Sequence, residues 1–250
     1  MLSRFHVLLL TALLGSSCAQ EERFNILMIS LDTLRPDHLT LYGYERDTSP
    51  HLSALAAQGI VFENAFSQSP KTATSHMTIF TGLYPSVHGI ENLSEENRRL
   101  PDEVPTLATL LSQAGYRTEA VVGGGNVSGE LGFDQGFETY AGSADAEDMF
   151  QQARGVLDRV TADERPFFVF MHTYEVHDPY VPRSEFAEMY ADPEYAGEIV
   201  SSQDELIELA GGAEYWQQYN AYWSRVDPGS DADAQHLRDL YDAEIRFTDE

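Results

Sequence analysis

Apolar residues gather in short dense runs, separated by segments whose apolar positions recur at helical spacing. Phe24 to Leu31 is almost continuously apolar, the pattern of a buried central strand in a parallel sheet. Tyr116 to Val122 and Pro166 to His172 read the same way, and Ile60 to Ala65 reads as a shorter strand. Between them, Ser49-Pro50 opens a helix that runs through Leu52, Leu55 and Ala56 to Gly59. Pro105 to Ala114 is a second helix closed by Gly115, and Asp145 to Val160 is an amphipathic third. Ser184 to about Gly211 is acidic and reads as a helical insertion over one edge. Leu237, Leu240, Tyr241, Ile245 and Phe247 mark a last helix that reaches Glu250 without a stop signal. Alternating strands and helices predict an α/β fold, a three-layer sandwich with a mainly parallel central sheet. The uncapped last helix predicts a fold truncated at its C-terminus, the N-terminal part of a longer protein.

Composition narrows the partners. The 250 residues are 42% apolar and carry a formal net charge of −26, from 41 acidic and 15 basic side chains. Phosphate contacts need clustered Lys and Arg, so nucleic acid is excluded as a partner. Residues 1–17 read as a signal peptide: Arg4, an apolar stretch from Val7 to Leu14, then Gly15, Ser16 and Ser17. Residues 18–23 are a polar linker, and 24–250 form one domain. Leu14 to Cys18 resembles a bacterial lipoprotein box, which predicts an exported protein, periplasmic or outer-membrane, touching a membrane only through a lipid anchor at Cys18. Cleavage after Ala19, which removes Cys18, is the alternative.

The chemistry centres on Ser67 to Gly89. Ser67, Ser69, Thr72, Thr74 and Ser75 crowd its first half, and Met77, Ile79 and Phe80 then set a short helical pattern ended by Gly82. Hydroxyls at a helix N-terminus suit an anion site; they equally suit a capped surface helix. Lys71, the only lysine against fourteen arginines, stands in this stretch. It either draws an anion into a repelling protein or is a chance survivor of the composition. Asp32 follows the first strand, at the edge where α/β sheets gather ligands, or else caps a turn. Gly123-Gly124-Gly125 reads as a flexible strand exit, and Asp37 and His38 as loop surface. His88 and Gly89 read as turn and packing residues.

With these residues laid out, the chain resembles the sulfatase-like branch of the alkaline phosphatase superfamily. The likeness rests on Asn25 to Leu39 with Asp32, then Tyr42-Gly-Tyr44, Asp47 to Ala56, Gly59 to Phe66, Thr72-Ala-Thr-Ser-His76 with Phe80-Thr81-Gly82-Leu-Tyr-Pro85 and His88-Gly89, Val104 to Ala108 with Ala114 to Thr118, Gly132 to Tyr140, and His177-Asp-Pro179-Tyr-Val-Pro182. It implies an alkaline-phosphatase-like fold and a hydrolase acting on sulfate or phosphate esters through a hydroxyl nucleophile and one divalent metal ion. Oxygen ligands favour calcium, magnesium or manganese. Carried over by position, Thr72 is nucleophile and metal ligand and Asp32 a second ligand, with Thr33 where the family often has another aspartate. His76 orients the nucleophile or binds the anion. His177 holds an ester oxygen or protonates the leaving group. Lys71 and Ser75 touch the substrate. On the residues alone His76 is equally a satisfied helix histidine, His177 a turn residue, and Ser75 a rival nucleophile or a cap.

Threonine cannot become the formylglycine of true sulfatases, whereas superfamily branches with threonine in this place transfer phosphoryl groups. A threonine-dependent phosphotransferase or phosphodiesterase on envelope glycans or lipid headgroups is therefore one alternative. A non-catalytic lipoprotein binding anionic glycans is another. On every reading the partner is a sulfated or phosphorylated small molecule or glycan. The family's remaining metal ligands lie on an Asp-His or Asp-Asn pair beyond the last helix, so this chain alone is expected to bind metal poorly and turn over nothing measurable.

Overall fold

A computed structural model describes residues 23–91, 99–143, 145–212 and 214–250. The expected signal peptide and Cys18 lie outside them. Four strands, β1 (Ile26–Leu31), β2 (Arg117–Val122), β3 (Thr139–Gly142) and β4 (Phe167–Thr173), pair in the order β1-β4-β2-β3. Every pairing is parallel. Ser30 stands opposite His172 and Leu31 opposite Thr173, while Val122 also meets His172. The carboxyl ends of β1, β2 and β4 therefore finish level with one another, which gathers their exits at one edge.

Nine α-helices are defined among the described residues: α1 (Pro50–Ala56), α2 (Thr72–Thr81), α3 (Pro85–His88), α4 (Leu107–Gln113), α5 (Ala146–Thr161), α6 (Ser184–Tyr190), α7 (Gln203–Leu209), α8 (Tyr215–Trp223) and α9 (Asp231–Asp249). Strand alternation divides them between two faces. Phe168, Phe170, Ala120 and Val122 point to α2 and α4, meeting Ala73, Met77, Phe80 and Ala108. Phe167, Val169 and Val121 point the other way, onto Met149, Val156 and Val160 of α5. Both faces of β4 are covered, so its run is apolar at consecutive positions instead of alternate ones. Burying each of its phenyl rings contributes about 1.5–3 kcal/mol. The Asp145 carboxylate caps α5 by accepting from the Asp148 amide at 2.8 Å.

Four expectations are corrected. β1 is not central: among the described residues only β4 pairs with it, and Leu27 and Ile29 are exposed. Residues 60–65 form no strand, because their backbone joins no ladder, and Ile60, Phe62 and Phe66 are exposed. The acidic segment 184–211 is two helices, α6 and α7, around an irregular stretch. In that stretch a side chain at Gly197 would collide with the Tyr195 ring. His38 is buried instead of lying on the surface, because α9 packs over its loop. Its Nδ1 is 2.7 Å from Asp242 Oδ1, and Arg46 pairs with Asp239 and Asp242. No helix of the described residues is long and apolar enough to cross a membrane.

Candidate active site

Asp32 is the first residue past β1, and its amide donates to the Thr173 carbonyl at 3.1 Å, extending the β1–β4 pairing by one step. The turn then enters a left-handed conformation at Thr33, φ 59°. A β-branched residue pays of order 1–3 kcal/mol for such a conformation. Two contacts hold it there: the Thr33 hydroxyl donates to the Val176 carbonyl at 2.8 Å, and the Tyr241 hydroxyl donates to the Thr33 carbonyl at 2.8 Å. The Arg35 amide in turn donates to the Tyr241 oxygen at 2.9 Å. Tyr241 of α9 thus fixes the turn that aims Asp32. Nothing in the sequence marks it beyond its helical spacing.

Thr72 opens α2, and Lys71 in front of it makes no side-chain cap. The Thr72 hydroxyl donates to Asp32 Oδ2 at 3.0 Å, across 40 residues of chain. The Thr72 carbonyl accepts from His76 Nδ1 at 2.8 Å and from the Ser75 hydroxyl at 3.1 Å. A carbonyl only accepts, so Nδ1 carries a proton; the other ring nitrogen, Nε2, lies 2.7 Å from Ser30 Oγ. His76 is buried with both nitrogens engaged and clamps the first turn of α2 to β1. The Lys71 ammonium is exposed, 3.9 Å from Glu91, a loose surface pair.

Behind His76 stands His172, fully buried, its ring 5.0 Å from that of His76 and 4.5 Å from Tyr174. Neither of its nitrogens has a hydrogen-bond partner among the described residues. Burial, and then the neighbouring His76, push its pKa down to about 3. Tyr174 follows β4 and packs so closely on Gly123 that a Cβ there would stand 2.7 Å from its ring. Asn126 donates its amide to the Tyr174 oxygen at 3.1 Å. The glycine triplet therefore makes room for this ring.

His177 sits on the turn after β4 with its amide on the Tyr174 carbonyl at 2.8 Å. Its Nδ1 is 2.8 Å from the Asp178 carbonyl and 3.0 Å from Asp178 Oδ1. The Asp178 hydrogen bond raises the His177 pKa against the opposing effect of burial, and Asp32 adds a smaller pull in the same direction. Burial pushes Asp178 up, but hydrogen bonds from His177, Trp223 and Tyr219 outweigh it and leave its pKa lowered. Trp223 Nε1 donates to Asp178 Oδ2 at 2.7 Å. Asp178 escaped the sequence reading although it is the next residue after His177, since its partners lie on α8.

Two hard oxygens on one cation, held at right angles about 2.2 Å away, stand about 3 Å apart. The Thr72 and Asp32 oxygens are 3.0 Å apart, so the pair fits two adjacent positions of such a shell. The described residues hold no group of three or more His, Cys, Asp or Glu placed to bind a metal. The fit is to part of a coordination sphere.

A sulfatase family model matches residues 24–250. The chain is 32% identical over 107 residues to the Delta 4,5-hexuronate-2-O-sulfatase of Bacteroides thetaiotaomicron, covering 42% of this chain and 22% of that protein. It is 31% identical over 152 residues to the N-sulphoglucosamine sulphohydrolase of Homo sapiens, covering 56% and 28% respectively. Among solved structures, the phosphonate monoester hydrolase of Agrobacterium radiobacter superposes with a TM-score of 0.64 at 17% identity, over 91% of this chain and 57% of that one. The chain thus spans under a third of these curated relatives and about half of the solved structure.

Proposed function

We propose that this chain, which belongs to the sulfatase family, carries the nucleophile of a metal-dependent hydrolase acting on sulfate or phosphate esters, with a sulfated or phosphorylated glycan as substrate. The observation that carries the reading is the Thr72 hydroxyl at the start of α2, 3.0 Å from the Asp32 carboxylate at the end of β1. Relatives named for a hexuronate 2-O-sulfate and for N-sulphoglucosamine support the glycan.

Asp32 and Thr72 would hold a divalent cation, calcium, magnesium or manganese. When bound, it supplies positive charge that favours the alkoxide of Thr72. The remaining work falls to side chains. Asp32 accepts the hydrogen bond of the Thr72 hydroxyl and so fixes its rotamer. His76 and Ser75 hold the Thr72 carbonyl, which fixes the backbone beneath the nucleophile. The N-terminus of α2 faces the incoming anion with the positive end of its dipole. His177, its pKa raised by Asp178, is the proton donor to the departing alcohol.

Assay of the full-length protein with aryl sulfate and aryl phosphate esters tests this. Hydrolysis of either, lost in Thr72→Ala, is expected. Activity unchanged in Thr72→Ala would end it. We further propose export with lipidation at Cys18, read by whether Cys18→Ala moves the protein from the membrane to the soluble fraction.

A further inference from the structure

α8 places its aromatic side chains unevenly. Tyr222 points inward and is 0% exposed, packed with Ile199, Leu206 and Leu240. Trp223, partly buried, packs against the same cluster and completes the docking of the helix. On another face Tyr215, Tyr219 and Trp223 follow one another at four-residue steps, their ring centroids 6.3 Å apart at each step. Trp216 flanks the strip, 5.3 Å from Tyr215 and 5.8 Å from Tyr219. The strip opens outward along its length. Trp223 is partly buried and fixed to Asp178, whereas Tyr215 is 48% and Trp216 68% exposed. Its exposed end, Tyr215 and Trp216, is not part of the core, and aromatic surface of this kind marks an interaction site.

Its position says what it meets. Trp223 donates to the Asp178 carboxylate that orients His177, and the Tyr215 hydroxyl reaches the Asp178 carbonyl at 3.4 Å. The Tyr174 ring lies 5.8 Å from that of His177 and 4.5 Å from that of His172, which is 5.0 Å from His76 on α2, so a chain of ring contacts links the strip to the helix that carries Thr72. A substrate whose ester reached Thr72 would lay its next unit over α8.

We infer that the Tyr215–Trp216–Tyr219 face of α8 is a sugar-binding platform, stacking an uncharged pyranose face of a glycan whose ester lies at Thr72. The C–H face of a pyranose carries partial positive charge, which matches the negative face of an indole or phenol ring. The Trp216 N–H can donate to the ring's hydroxyls, and the tyrosine oxygens, their protons turned to Asp178, can accept from them. The acidic chain, at −26, repels an anionic bilayer and further sulfate groups, so contact through an uncharged ring face is the favoured mode. The inference rests on the ester-attacking reading for where the substrate's ester lies. Its test reads binding alone.

The 250-residue chain holds two tryptophans, and Trp216 is the exposed one. Its emission is titrated with chondroitin 6-sulfate hexasaccharide and with the same hexasaccharide desulfated. Both are expected to shift the emission to the blue. By calorimetry, Trp216→Ala binds the desulfated probe about fivefold more weakly. Trp216→Phe stays within about twofold of wild type, and Thr72→Ala leaves that binding intact. Far-UV circular dichroism confirms that the variants fold. Wild-type affinity for the desulfated probe in Trp216→Ala overturns the inference, as does binding of the sulfated probe alone or of neither. Platform binding by a full-length protein that turns over neither ester would sink the catalytic reading and leave this one standing.

Discussion

Two histidine settings flank the same sheet edge, and they are built in opposite ways. His76 is buried, one helical turn from Thr72, and spends both nitrogens on Ser30 and the Thr72 carbonyl. His177 is half-buried on a turn, and its partner Asp178 is held from α8, up to 45 residues further on. The first setting is rigid and closed to solvent, suited to holding a nucleophile. The second leaves a titratable ring partly open to solvent, suited to passing a proton. The contrast separates positioning from proton transfer, and substitutions on each side should separate them too.

The largest effect belongs to the nucleophile. Thr72→Ala should cut ester hydrolysis by the full-length protein by about 10⁴-fold or more. Thr72→Ser should restore part of it, because the hydroxyl survives. On the proton-transfer side, Asp178→Asn should slow turnover by about 10²-fold. It removes the interaction that raises the His177 pKa, so the alkaline limb of the kcat/KM profile should move to lower pH. Stability follows the same sign. The raised His177 contributes fully below about pH 6.5 and loses its contribution as pH rises through its folded value. An unchanged pH profile in Asp178→Asn would erase the distinction between the two settings.

On the positioning side, Ser30→Ala leaves His76 Nε2 buried without its partner. That should cost about 1–3 kcal/mol in urea unfolding, with the pH profile unmoved.

How much of this was readable beforehand depends on how far apart the interacting residues lie. β2 and β4 declared themselves because both of their faces are covered, whereas Asp32 was placed at a strand's end and Thr72 was singled out by the family resemblance. β3 has four residues and no dense apolar run, so it left no signal. Residues 60–65 have strand-like composition but no ladder to join, and composition does not report on partners. α8 went unread because its aromatic residues serve a surface and show little helical segregation, and the role of Asp178 went with it. The left-handed Thr33 is legible only once Tyr241 and Val176 are seen to grip it.

The smallest effect tests the wall behind His177. Glu244 accepts from the Val181 amide at 3.0 Å, and burial, followed by nearby Glu175, pushes its pKa up to about 8 from an ordinary 4.5. Between those values the folded chain keeps a proton that the unfolded chain has released. Stability should therefore fall as pH rises through that window. Thermal melts of Glu244→Gln should lack this slope.

Whether strand and helix share a cation is best tested by anomalous scattering from manganese-soaked crystals of the full-length protein. The account predicts a peak within about 2.5 Å of both Thr72 Oγ1 and Asp32 Oδ2. A peak bound to Asp32 with the Thr72 hydroxyl turned away, or no peak at this edge of the sheet, would contradict it.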